Sequence, residues 1–151
     1  MRSRLARLGD FCEHNMKDVF ISCEQVDLPH AVTLIERLRQ KGFNVSHSPR
    51  NLLDGGKDER WRGWYSGGGQ AEIGKAEIFV VVVTAGWDGA TWMAFEAEEA
   101  RKGLQQGCIK RMFHYNPIGI KIHYPENKQH WLGEKLPDEL ERAVATLEAV
   151  I

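Results

Sequence analysis

Thr91-Trp92-Met93-Ala94-Phe95-Glu96 places an indole and a carboxyl four residues apart. On a helix that spacing puts both side chains on one face. A carboxyl in the first turns of a helix, beside an indole and at the mouth of a cleft, has the ingredients of a catalytic acid. Apolar neighbours raise its pKa, and the flat indole stacks a planar ring. The same spacing also suits a tryptophan packed on a sheet and a glutamate solvated together with Glu98 and Glu99, since acidic residues are common near helix starts. Spacing alone leaves both readings open.

Other residue types are less telling. Gly67-Gly68-Gly69 lacks the Lys-Ser/Thr of a phosphate loop, and no GxGxxG follows the first strand-like run, so the glycines read as backbone punctuation. His14, His30, His47, His114, His123 and His130 show no HxxxH or HxH spacing, and Cys12, Cys23 and Cys108 form no CxxC pair. No metal centre is expected from such a set. The three cysteines read as free thiols of a reducing compartment, with Cys23 a small apolar filler. Arg60, Trp61, Arg62 and Trp64 interleave charge with aromatics, which suits either a nucleotide-stacking groove or a loop anchored by two tryptophans.

These residues need a scaffold, and composition bounds it. The chain has 151 residues with 20 Lys+Arg against 21 Asp+Glu, a net charge of −1. That length fits one domain, taken as residues 18–151 behind an N-terminal arm of 1–17. Near-neutral charge argues against direct binding to nucleic acid or an anionic membrane. The longest apolar run, 78–84, is about a third of a membrane span. Three arginines in 1–8 have no apolar core behind them, so no secretory signal is expected and the chain reads as cytoplasmic.

Asp18-Val19-Phe20-Ile21-Ser22-Cys23 predicts a buried strand. Ala31, Leu34, Ile35 and Leu38 then recur at helical spacing after Pro29, with Gly42 as the stop. Phe43-Asn44-Val45 predicts a second strand, and 77–84 a centre strand covered on both faces. A short helix is expected around Trp61, Trp64 and Tyr65, and another from Trp92 to Lys102 ended by Gly103. Residues 111–115 and 118–124 read as one or two further strands. A closing amphipathic helix over 137–151 carries Leu140, Ala143, Val144, Leu147 and Ile151. The result is an α/β, flavodoxin-like three-layer sandwich with a central parallel sheet of about five strands. In such a sheet ligands bind beyond the carboxyl ends of the strands, here the loops 22–28, 46–60 and 84–91.

Four motifs in order resemble Toll/interleukin-1 receptor (TIR) domains. Asp18-Val19-Phe20-Ile21-Ser22 is similar to their first strand, Gly42-Phe43-Asn44-Val45 to the strand after the first helix, and 76–84 to the central strand. Thr91-Trp92-Met93-Ala94-Phe95-Glu96 resembles the family's Ser-x-Trp-x-x-x-Glu helix start. Cys23 stands at the family's strand-end aromatic, Glu24-Gln25 where several hydrolases carry basic residues, and Ser48-Pro49-Arg50 and Leu53-Asp54-Gly55-Gly56 in place of the receptor-type Arg-Asp-x-x-Pro-Gly signature.

The resemblance implies an NAD+ glycohydrolase (NAD+ nucleosidase) or ADP-ribose cyclase of the bacterial type, acting in anti-phage defence or immune signalling. It implies Glu96 as the catalytic residue, with Phe20, Ser22, Cys23, Trp87 and Trp92 lining the pocket. It also implies NAD+ as substrate with no cofactor, self-association through TIR–TIR contacts, and gating of the site by the 46–60 loop. Two other roles fit the same residues: a non-catalytic TIR–TIR interaction module, and a nucleoside or nucleotide N-glycosidase built on a related plan.

Overall fold

The computed structural model describes residues 18–23, 28–47, 76–83, 91–122 and 132–150. Strand β1 (Asp18–Ser22) is β-branched and aromatic, and every residue after Asp18 is buried. Helix α1 (Leu28–Gln40) follows, with Ala31, Leu34, Ile35 and Leu38 all buried as their spacing predicts. Gly42 ends it at φ 93°, letting the Phe43 amide bond back to the Leu38 carbonyl at 3.0 Å. After β2 (Asn44–His47) comes β3 (Ile78–Val82), buried along its whole length as a centre strand requires. Helix α2 (Thr91–Gln106), β4 (Arg111–Tyr115), the two-residue β5 (Glu134–Lys135) and α3 (Leu140–Val150) complete the chain.

The five strands form one sheet in the order β2-β1-β3-β4-β5, every pair parallel. Alternation along the strands splits the interior into two cores. Val19, Ile21, Ile78, Val80, Val82, Phe113 and Tyr115 pack with α1 and with Ala143, Val144 and Leu147 of α3. Phe20, Phe79, Val81, Val83 and Met112 pack with Ala97 and Ala100 of α2. Helices thus cover both faces, and the fold is the expected flavodoxin-like α/β sandwich. No helix among the described residues is long and apolar enough to cross a membrane.

Four expectations are corrected. Helix α2 runs through Gly103, where a Cβ would stand 2.9 Å from Ile109 Cδ1, so that glycine serves close packing. The helix stops at Gly107 (φ 85°), and the Cys108 and Ile109 amides bond to the Gly103 carbonyl at 2.9 and 3.1 Å. No strand occurs over 118–122; Asn116 instead closes a turn, its side-chain amide bonding both the Ile120 amide and carbonyl at 3.1 and 2.8 Å. The closing helix begins at Leu140, with the Glu139 carboxyl accepting from the Arg142 amide at 3.2 Å as a cap. Cys108 is disulfide-bonded, whereas Cys23 is a buried thiol outside any disulfide. That bond removes the cysteine argument for a reducing compartment. The arm 1–17, the Trp61–Trp64–Tyr65 segment, the 48–60 part of the loop after β2 and Ile151 lie outside the described residues.

Candidate active site

The strand order contains one reversal. From β1 the chain moves outward to β2, then returns to lay β3 against the other side of β1. At such a switch point the loops leaving the two carboxyl ends diverge and open a crevice. Ser22, the last residue of β1, stands at that position and is paired in register with Val81 of β3. Helix α2 runs back from this edge over the face that carries Phe20, Val81 and Val83, which brings its second turn down onto β1.

There the Ser22 hydroxyl donates to Glu96 Oε1 at 2.5 Å, across 74 residues of sequence, and both side chains are 0% exposed. Glu96 therefore does not belong to a solvated acidic cluster. Its neighbours do: Glu98 pairs with Arg101 at 2.6 Å and Glu99 with Lys102 at 3.3 Å on the outer face of α2. Beneath the pair, Phe20 stacks on Phe79 with ring centroids 5.6 Å apart and planes 3° from parallel. Two influences act on the Glu96 carboxyl in opposite senses. Burial among apolar groups penalises its charge, while the hydroxyl donor favours it.

Of the residues singled out in the sequence, Phe20, Ser22 and Glu96 lie on the same side of the sheet. Phe20 is wholly buried and forms the floor beneath the pair, with no surface to offer a ligand. Cys23 lies in the other core, with Val19, Ile21 and Leu34, because successive strand residues alternate between faces. Trp92 stands one turn before Glu96 on α2; its side chain, and all of Trp87, lie outside the described residues.

The structure adds His114, which sequence reasoning weighed only as a metal ligand. It occupies the same register row as Ser22, since Val81 pairs with Ser22 on one side and with His114 on the other. Its Nδ1 lies 3.1 Å from the Gly133 carbonyl. Burial holds the imidazole below the usual histidine range, opposed by that carbonyl and assisted by the charge of Lys135, with Asp138 acting the other way. A histidine near the end of a buried strand in an open parallel sheet was the available signal. Among the described residues no three His, Cys, Asp or Glu side chains gather as metal ligands. No known protein family, characterised protein or solved structure matches the chain, so what it is rests on this fold and on the carboxyl buried at its switch point.

Proposed function

We propose that the chain cleaves the nicotinamide–ribose bond of NAD+, with Glu96 as the catalytic carboxyl. The observation that carries this reading is the buried Ser22–Glu96 hydrogen bond at the β1/β3 switch point, where a sheet of this order binds its ligands. The motif resemblance to TIR domains supplies the substrate. As nicotinamide departs with the electron pair of the C1′–N bond, positive charge develops on the ribose. A fixed carboxylate in a low-dielectric site stabilises that cation far better than water does. Ser22 holds the carboxylate in one orientation. The products are nicotinamide and ADP-ribose, or a cyclised ADP-ribose. A cytoplasmic setting, self-association and a role in defence signalling belong to the same proposal.

One observation favours a second reading. Glu96 has no exposed surface, so turnover requires the site to open, whereas a non-catalytic interaction module would use the same bond as a clasp between β1 and α2. NAD+ consumption by concentrated purified protein, with products resolved by mass spectrometry, separates the two. Nicotinamide release that falls by about 10²–10³ or more in Glu96→Gln supports the enzyme. Homotypic association without NAD+ loss supports the module. Free base from nucleoside monophosphates, with NAD+ untouched, supports an N-glycosidase.

A further inference from the structure

We propose that the β2 edge is a pairing surface for a second copy of this chain, and that Arg39 keeps it shut. The proposal stands apart from the NAD+ reading, since it uses no residue of that site. A sheet of order β2-β1-β3-β4-β5 ends in two edges, each a row of backbone groups open to another strand. The β5 edge is defended by its own sequence, being only Glu134 and Lys135, both exposed and charged. Strand β2 is longer, and its Asn44-Val45-Ser46-His47 contains no Lys, Arg, Asp or Glu. Its defence must come from another element.

The direction of the peptides identifies that element. The Asp18 carbonyl accepts from the Glu77 amide at 2.8 Å, so Asp18 turns its carbonyl toward β3. Successive strand residues turn their backbone groups to opposite sides, so Val19 addresses β2. Val19 is in register with Val45, and in a parallel pair it bonds the residues on either side of its partner, Asn44 and Ser46. The Val45 N–H and C=O are therefore aimed away from the sheet. From the last turn of α1, Arg39 donates through Nη2 to that Val45 carbonyl at 2.8 Å. The guanidinium occupies an atom that an incoming strand must use, and it brings to this edge the charge that β2 lacks. A second copy fits the edge because the edge is self-complementary. Antiparallel pairing about a two-fold axis at Val45 sets that residue against its own equivalent, and the two exchange both N–H···O bonds. Asn44 then faces Ser46 of the second copy on each side, with no like charges opposed. With Arg39 in place, the same symmetry crowds two guanidinium groups into one short interface, and each must give up its carbonyl before the strands can bond.

Arg39→Ala tests this beside Arg142→Ala, which removes an exposed cation from α3. Sedimentation velocity gives the mass against protein concentration, and amide exchange followed by NMR reports on Val45. In wild type and in Arg142→Ala the Val45 amide exchanges rapidly at every concentration. Arg39→Ala associates with a constant about tenfold or more above theirs, and its Val45 amide becomes protected as the mass rises. Association of Arg39→Ala no stronger than that of wild type overturns the proposal, as does association that leaves the Val45 amide unprotected. Val45 protection at monomer mass means that the chain's own backbone covers the edge, and overturns it too. Equal association of Arg142→Ala traces the effect to net charge and does the same. If circular dichroism shows that Arg39→Ala does not fold, Arg39→Gln removes the charge and the reach of the guanidinium with a smaller change of volume, and is read in the same way. Nicotinamide release enters none of these outcomes, so the NAD+ reading stands or falls separately.

Discussion

Replacing Ser22 with alanine isolates the bond on which the site depends. Alanine suits the same strand backbone, and the change removes one oxygen atom from a position that is wholly buried. The void is too small to matter much, so the loss is the hydrogen bond to Glu96 Oε1. A bond to an ionised partner contributes about 1.5–3 kcal/mol, against about 0.5–1.5 kcal/mol between neutral groups. In a chain of this size each kcal/mol moves the melting temperature by about 2–4 °C, so Ser22→Ala lowers it by about 3–12 °C if Glu96 is ionised. Urea unfolding followed by far-ultraviolet circular dichroism measures the cost at neutral pH. Glu96→Gln completes a double-mutant cycle, because the amide keeps an acceptor of similar volume and loses the charge. With an ionised Glu96, Ser22→Ala is about 1 kcal/mol milder in the glutamine background than in the wild type. If the two substitutions add within about 0.3–0.5 kcal/mol, Glu96 is neutral in the folded protein and cannot stabilise a cation unaided. If Ser22→Ala changes stability by less than about 0.5 kcal/mol, the buried bond itself is refuted.

Two further outcomes follow from other parts of the fold. Gly119 (φ 68°) has nothing within 4 Å of an added Cβ, so Gly119→Ala meets only the left-handed backbone penalty of about 1–2 kcal/mol. Gly133→Ala adds a collision with the Met112 carbonyl and must cost more, with loss of amide exchange protection at Leu136; equal costs would show that β5 does not press on β4. The hydrogen bonds from Arg37 to Glu141, at 2.7 and 2.6 Å, hold Glu141 below its ordinary value, and Arg37, raised further, stays charged throughout. A carboxylate depressed in the folded state stabilises above its unfolded pKa, and that contribution is lost as pH falls through the folded value. Urea midpoints of wild type and Glu141→Gln therefore differ at pH 7 in low salt and converge in acid or high salt, and a pH-independent gap counts against the pair.

The parts of the fold legible in the sequence are those with a strong local cause. Ala31, Leu34, Ile35 and Leu38 spell one helix face, Gly42 ends it, and 78–82 is apolar without interruption, which only a doubly covered strand tolerates. What was illegible has a non-local cause. Strand β5 is two exposed residues, Glu134 and Lys135, with no apolar pattern; it exists because Gly133 lets the chain close on β4. Gly103 looks like a helix stop until Ile109 is seen against it. The site was legible in part. The sequence singled out Glu96, but that it turns inward while Glu98 and Glu99 turn out depends on β1 lying beneath it. Ser22 is 74 residues away in sequence and His114 is two strands away, so only the register joins them.

That register also explains the order of the two residues at the end of β1. Strand side chains have a period of two, so a slip of one position exchanges the faces completely. It would put Cys23 beneath Glu96 and Ser22 into the core with Ala31, Leu34 and Leu38. A thiol is a weak donor to a carboxylate, and a hydroxyl moved among aliphatic side chains loses its carboxylate partner; each error is costly in a buried setting. The apolar demands of the α1/α3 core and the polar demand of the carboxyl under α2 therefore select the same register. The residue that secures Glu96 and the residues that secure the sheet are set by one constraint. This is how a fully buried acid can persist at a switch point without loosening the fold around it.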